Sequence, residues 1–419
     1  MNYTSVSFQK KGPDPEESIS LSEVIAALSL AIELSDGAMH GHALRSCLLG
    51  MRIAEEAGVT PAEKSALYYA LLLKDVGNES MVGLRSDRGA SIVSKLGMGS
   101  LAANAIRHIE ERWDGSGQPE GLHGESIPRL ARLCSIAQHL DMFAIARSPE
   151  AAVETVKELS GLWFDPALVE VTRSLARRGE LWTHCMAGDS HEKIRAAVLE
   201  RDPHERHCLD DEQIDRICEG FAEIVDAKSH FTFRHSMGVA ELAHGIALNL
   251  HLPEDRIRLV WRAALLHDLG KLSIPNRILD KKAELTASEW RIVKRHPGLT
   301  RKILDRIEPF REIAVVAGEH HEKLDGSGYP KHLRASDLSV ESRIIAVADV
   351  YGALSEERPY RAKLSREKIL PILESLAPHK LDADCVRALE AFLEQQPLPG
   401  FEPGAASDDQ DDQKSRYCA

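Results

Sequence analysis

The chain has 419 residues, enough for two or three domains, and its 43% hydrophobic and 28% charged residues are those of a protein that buries a core. A net charge of −13 argues against a partner made of nucleic-acid phosphate, and seven cysteines with no CxxC pair suit a reducing compartment, each read as a small core or surface residue. No apolar run approaches the ~20 residues that span a bilayer, and the N-terminus MNYTSVSFQKKGPDPEES lacks the apolar core of a signal peptide, so a cytoplasmic protein is expected.

In chain order, residues 1 to 20 are polar and read as disordered. Apolar residues then recur at helical spacing in LSEVIAALSLAIEL (21 to 34), ALRSCLLGMRIAEEAG (43 to 58) and PAEKSALYYALLL (61 to 73). These belong to a first domain, 21 to 185. A polar stretch with one short helix, 186 to 210, reads as a linker. The second domain, 211 to 396, opens with Asp210 or Asp211 as a helix cap before Glu212-Gln213. Helical spacing continues in QIDRICEGFAEIVDA (213 to 227), MGVAELAHGIALNL (237 to 250) and EDRIRLVWRAALL (254 to 266). No alternating run suggests a sheet, and 397 to 419, with SDDQDDQ, read as an acidic disordered tail. The expected fold class is all-α, with two helical bundles in tandem.

The two domains repeat one another. ALLLKDVGN (70 to 78) lies over ALLHDLGK (264 to 271), so that Asp75 meets Asp268 and His42 meets His235 at one offset (268 − 75 and 235 − 42, both 193). DGSGQPEGLHGESIPRLARLCSIAQ lies over DGSGYPKHLRASDLSVESRIIAVAD at a second offset (325 − 114 and 349 − 138, both 211). The second copy thus holds 18 more residues between its landmarks, within a segment that carries His296. Two blocks with constant internal spacing and a shared DGSGxP point to duplication.

The second copy concentrates groups that bind metals: His235, His267, Asp268, His296, His320, His321 and Asp349. A lone histidine on an apolar helix is usually a satisfied core residue. Seven such groups in one domain would be costly to bury without a charge partner. Mixed nitrogen and oxygen donors suit Mn, Fe, Ni or Zn and disfavour Mg or Ca. Seven donors exceed one tetrahedral ion and suffice for two ions sharing a carboxylate. Two ions ~3.5–4 Å apart can hold a hydroxide between them and clamp the attacking and leaving oxygens of a phosphodiester. The histidines must be neutral to bind, so activity should fall in acid. In the turn, Gly326 and Gly328 permit positive φ and a close approach of backbone to ligand, and Pro330 fixes the exit direction.

HDLGK (267 to 271), RHP (295 to 297), EHHEKLDGSGYP (319 to 330) and ADVYGALSEERPYR (348 to 361) resemble the HD-GYP branch of the HD-domain phosphohydrolases over roughly residues 211 to 395. The resemblance implies an all-helical HD-type fold with a two-metal centre. The activity it implies is hydrolysis of cyclic di-GMP to pGpG or onward to GMP by a bridging hydroxide. It places ligands on His235, His267, Asp268, His296, His320, His321 and Asp349, with Asp268 bridging two divalent transition ions. Fe or Mn is expected first, with Ni or Zn as alternatives. Some members take a third metal through a glutamate four residues before the first histidine; Phe231 stands there, so two ions are expected.

Catalysis is assigned to Asp268 and Lys271, whose ammonium the resemblance places beside a phosphoryl oxygen; the bland reading is a surface lysine. Lys271, Gly328, Tyr329, Pro330, Arg358 and Arg361 are the candidate substrate contacts. For Tyr329 a structural plug, and for the arginines a solvated salt bridge, remain open. Expected partners are cyclic di-GMP, signalling proteins such as diguanylate cyclases and a second copy of the chain, with no nucleic-acid polymer and no membrane.

In the first copy Lys74 replaces His267, Ile109 and Glu110 replace His320 and His321, Gln138 replaces Asp349 and Asn78 replaces Lys271. Only His42 and Asp75 persist. A metal-free HD-like domain with a regulatory or dimerising role is expected. Two other readings stand beside the enzyme: a slow cyclic-dinucleotide sensor or docking module, and a hydrolase of another nucleotide.

Overall fold

The structure is a computed structural model that describes residues 19–33, 41–76, 82–185, 189–203, 208–228, 234–357 and 362–395. Residues 1–18 of the polar N-terminal stretch, the acidic tail, Asn78, Phe231, Arg358 and Arg361 lie outside the described residues. The chain divides into two units, Gly12–Gly220 and a second that begins at Phe221. No described helix is long and apolar enough to cross a membrane.

The first unit contains α1 (Leu21–Glu33), α2 (His42–Glu56), α3 (Pro61–Leu73), α4 (Val82–Lys95), α5 (Gly99–Arg107), α6 (Arg129–Ala146), α7 (Pro149–Glu158), α8 (Pro166–Arg177) and α9 (His191–Leu199). Its strands are two residues each, Ile19–Ser20 pairing antiparallel with Cys208–Leu209. α2 is buried on every face from His42 to Ala54, as a central helix must be, and packs on α3 and α6. Thr60 and Glu63 form a reciprocal cap at the start of α3, with Pro61 where its missing N–H costs nothing. The stretch read as a linker carries α9, which packs on α1 and α2 and whose Val198 carbonyl accepts the Tyr68 hydroxyl at 3.2 Å.

α10 (Asp211–Asp226) is capped by Asp210: Gln213 N donates to its carboxylate at 2.7 Å and its own N donates to the Gln213 side chain at 2.9 Å. Then follow α11 (His235–Asn249), α12 (Glu254–Leu266), α13 (Asn276–Leu279), α14 (Ala287–Val293), α15 (His296–Leu304), α16 (Arg311–Gly318), α17 (Val340–Ser355), α18 (Arg366–Leu376) and α19 (Ala383–Gln395). α11 is the hub, packing on α12, α17 and α19, while α15 and α16 pack together beside a 3-10 turn at Leu269–Ser273. Helices thus form where apolar spacing predicts them. The five described cysteines outside the two short strands, Cys47, Cys134, Cys185, Cys218 and Cys385, are buried thiols that form no disulfide.

Candidate metal centre

Helix ends supply the site. His235 opens α11, His267 caps α12, His296 opens α15, and His320 and His321 follow the end of α16; Asp349 alone comes from a helix interior, in α17. His267, His296 and His320 are fully buried, and Asp268 is 1% exposed. The turn bearing His267 and Asp268 is pinned by Thr300, whose hydroxyl donates to the His267 carbonyl at 2.9 Å and accepts Gly270 N at 2.9 Å. Gly270 lies so near His296 that a Cβ would stand 2.1 Å from its carbonyl oxygen.

Three of the imidazoles are oriented alike. Nδ1 of His267, His296 and His320 lies 2.7, 2.7 and 2.6 Å from the carbonyl of the residue three earlier: Ala264, Val293 and Ala317. A carbonyl only accepts, so each Nδ1 carries a proton, and each ring when neutral presents its lone pair at Nε2. Nε2 of His296 and Nε2 of His320 stand 3.1 Å apart. Two lone pairs facing at that distance call for a cation. Burial, with Lys271 beyond it, pushes His296 down to about 4; burial, with His267 and His296, pushes His320 down to about 3. Burial also holds His321 well below its ordinary range, with His320 adding to it. These rings are kept neutral, the form that binds metals. His267 goes the other way: burial would lower it, but Asp268 and Asp349 raise it to about 10.

The carboxylates span two clusters. Asp268 turns Oδ2 toward His267 and His235 (3.3 and 3.7 Å) and Oδ1 toward His296 and His320 (3.3 and 3.9 Å). Asp349 also spans them, with Oδ1 3.3 Å from His235 and 3.7 Å from His267, and Oδ2 3.6 Å from His321. The sequence reading gave the bridging place to Asp268 alone. Two trios, His235-His267-Asp268 and His296-His320-His321, each bring three donor atoms within 4.8 Å of one another. His267 Nε2 and Asp268 Oδ1 are buried with no hydrogen-bond partner. Unsatisfied buried donor atoms facing a common centre fit a pair of divalent transition ions. Lys271 sets its ammonium 2.5 Å from Asp268 Oδ2.

The first unit fills the corresponding place with its own charges. His42 Nδ1 is 2.7 Å from Asp141 Oδ2, and Arg45 holds the same carboxylate through Nε and Nη2 at 2.6 and 3.0 Å. Lys74 pairs with Asp75, while Ile109 and Gln138 are buried. Among the described residues the first unit has no trio of metal-donor atoms. Sequence reasoning missed Asp141; one turn beyond Gln138, the only signal was an acidic residue on an apolar helix. His108, one position before the counterpart of His320, sets Nδ1 3.0 Å from the Asn104 carbonyl.

The turn is the same in both units, which explains its survival in both. Glu322 accepts Lys331 N at 2.6 Å and Leu333 N at 3.0 Å; Glu111 accepts Glu120 N at 2.7 Å and Leu122 N at 3.0 Å. Asp325 accepts Ser327 N, and Asp114 accepts Ser116 N, each at 2.9 Å. A Cβ on Gly328 would meet the main chain of Glu322 and Lys323 at 2.4 Å, and one on Gly117 would meet Arg112 N at 2.3 Å. The close approach that the glycine permits is therefore to the protein's own backbone. What differs is the next residue: the Tyr329 ring packs against His321 with centroids 4.8 Å apart, and the Lys294 ammonium lies 5.2 Å over that ring. Pro330 is exposed.

The HD domain family matches residues 74–168 and 219–385, one stretch centred in each repeat. The chain is 34% identical to 3′3′-cGAMP-specific phosphodiesterase 3 of Vibrio cholerae serotype O1, over 90% of this chain and 95% of that protein. It is 38% identical to the cyclic di-GMP phosphodiesterase response regulator RpfG of Xanthomonas campestris pv. campestris, over 38% of this chain and 43% of that one. The crystal structure of the V. cholerae cyclic GMP-AMP-specific phosphodiesterase V-cGAP3 matches with a TM-score of 0.67 at 32% identity, covering 91% of this chain and 99% of that one.

Proposed function

The chain belongs to the HD-domain family, in its HD-GYP branch, and from that premise we propose that its second unit is a metal-dependent phosphodiesterase of 3′,3′-linked cyclic dinucleotides. The observation that carries this is the pair of facing Nε2 atoms of His296 and His320, 3.1 Å apart, beside a carboxylate with one oxygen toward each trio. His235, His267 and Asp268 would hold one ion and His296, His320 and His321 the other, with Asp268 and Asp349 shared. Fe or Mn is proposed, with Ni or Zn as alternatives. Bound there, the ions supply a nucleophile from water at neutral pH and a sink for phosphoryl charge.

The chain's own residues do the rest. Main-chain carbonyls orient three imidazoles with Nε2 toward the centre. Lys271 offsets the buried charge of Asp268 and is the proposed cation for a phosphoryl oxygen. Tyr329, braced on His321, offers a ring face for a nucleobase, while Gly328 and Pro330 fix the loop that carries it. Arg358 and Arg361 are proposed phosphate contacts, since a guanidinium fork matches phosphate oxygens. The first unit, filled by ion pairs, is proposed as the regulatory or dimerising partner of the second.

A relative aligned with 90% of this chain is named for 3′3′-cGAMP, which favours that substrate. Cyclic di-GMP, which the motifs imply, is the second reading and is supported by relatives such as RpfG. Initial rates on both, with Mn- or Fe-loaded protein, test the proposal. Linear dinucleotide should form, and 3′3′-cGAMP should be favoured at least ~10-fold, the discrimination that one base-edge contact of ~1.4 kcal/mol gives. Equal or reversed preference sinks the cGAMP reading; no hydrolysis of either sinks the enzyme.

A further inference from the structure

His235 is oriented differently from its neighbours. His267, His296 and His320 each give Nδ1 to a carbonyl three residues back, but His235 stands at the first position of α11, and its Nδ1 lies 3.0 Å from Glu356 Oε1. Glu356 is the residue that follows α17, the helix that carries Asp349. Its side chain is 25% exposed, whereas that of His235 is 1% exposed.

The first unit supplies an internal comparison. His42, the counterpart of His235, also gives Nδ1 to a carboxylate from the corresponding helix, Asp141 of α6. At the offset that matches Gln138 to Asp349, Asp141 corresponds to Gly352, one turn before Glu356. A Cβ on Gly352 would stand 3.7–3.8 Å from the His235 ring, so no side chain occupies Asp141's place and the partner reaches in from the helix end. In the first unit the carboxylate is clamped by Arg45; at the position of Arg45 the second unit has Gly238, whose Cβ would meet nothing within 4 Å. The same histidine thus has a carboxylate in both units. In one it is locked among buried charges, and in the other it sits at the rim of the site.

We propose that Glu356 is the positioning residue of His235, fixing its Nδ1–H tautomer and aiming Nε2 at the ion shared with His267 and Asp268. This rests on the metal centre proposed above. A carboxylate behind a ligating histidine raises its basicity and orients its ring, and losing one typically costs about 10–100-fold in metal affinity.

The test compares the full-length protein with Glu356→Ala and Glu356→Gln. Nitrogen-15 shifts of the imidazoles in metal-free protein report the His235 tautomer, and Mn(II) or Co(II) titration reports affinity. Glu356→Ala should mix the His235 tautomers and weaken the ion by about 10–100-fold. Glu356→Gln, whose amide oxygen still accepts Nδ1–H, should restore the tautomer and most of the affinity. A wild-type tautomer and affinity in Glu356→Ala overturn the proposal, as does a Gln variant no better than Ala when both melt like wild type. Failure of the wild-type protein to bind metal would instead sink the metal centre itself, while the metal-free tautomer comparison would still stand.

Discussion

Replacing Asp268 by Ala is expected to remove turnover, with a loss of at least ~10³-fold. Asp268 is, among the described residues, the one carboxylate that faces four imidazoles, with one oxygen toward each trio, and it also carries Lys271. Several kcal/mol of charge stabilisation depend on a metal pair, and each ~1.4 kcal/mol is a factor of ten in rate. His267→Ala should do the same, since its buried Nε2 faces Asp268 and Asp349 at the centre, 3.3 and 3.7 Å away. The matched change in the first unit, Lys74→Ala, removes the ion pair with Asp75 and should leave turnover within about twofold, its cost falling on the stability of that unit. Steady-state rates with Mn-loaded protein check all three. Full activity in Asp268→Ala would refute the site; loss of activity in Lys74→Ala would give the first unit a part in the chemistry.

Glu322→Ala and Glu111→Ala should destabilise alike and act differently on rate. Each glutamate is buried, at 1% and 3% exposure, and each receives two backbone N–H groups from the far side of its turn. Two charge-assisted bonds lost, partly replaced by water, cost about 2–4 kcal/mol. In the second unit the turn also carries Tyr329 onto His321, one residue from Glu322, and a displacement of ~1 Å there costs on the order of 10²-fold. In the first unit Gln118 stands at the place of Tyr329. Calorimetry should show similar drops in melting for both variants, and assays a large rate loss only for Glu322→Ala. A Glu322 variant that melts like wild type but is inactive would recast Glu322 as a catalytic group.

Much of this was legible in the sequence because the repeat shows which residues answer to the frame and which to chemistry. DGSGxP stands in both copies, and the structure gives it the same hydrogen bonds in both; His267, His320, His321 and Asp349 stand in one only, and they gather at one centre. The helices were readable because apolar residues recur with the helical period. Three features were not. Asp349 spanning both trios depends on the rotamer of one side chain. The ion pairs that fill the first unit required Asp141 and Arg45, a turn of helix from the aligned positions. Glu356 lies beyond the end of α17, and no spacing rule connects it to a histidine 121 residues earlier. A glycine's small size and freedom of φ are visible in the turn's sequence, whereas the main chain that Gly328 approaches is not.

The most direct measurement is anomalous diffraction at the metal edge from crystals of protein loaded with Mn or Fe, beside elemental analysis of the same sample. Two peaks flanking Asp268, one toward His235 and His267 and one toward His296, His320 and His321, with none beside Lys74, are the expected result. Absence of any peak at Asp268 in active protein, or a metal bound at His42 and Asp75, would contradict it.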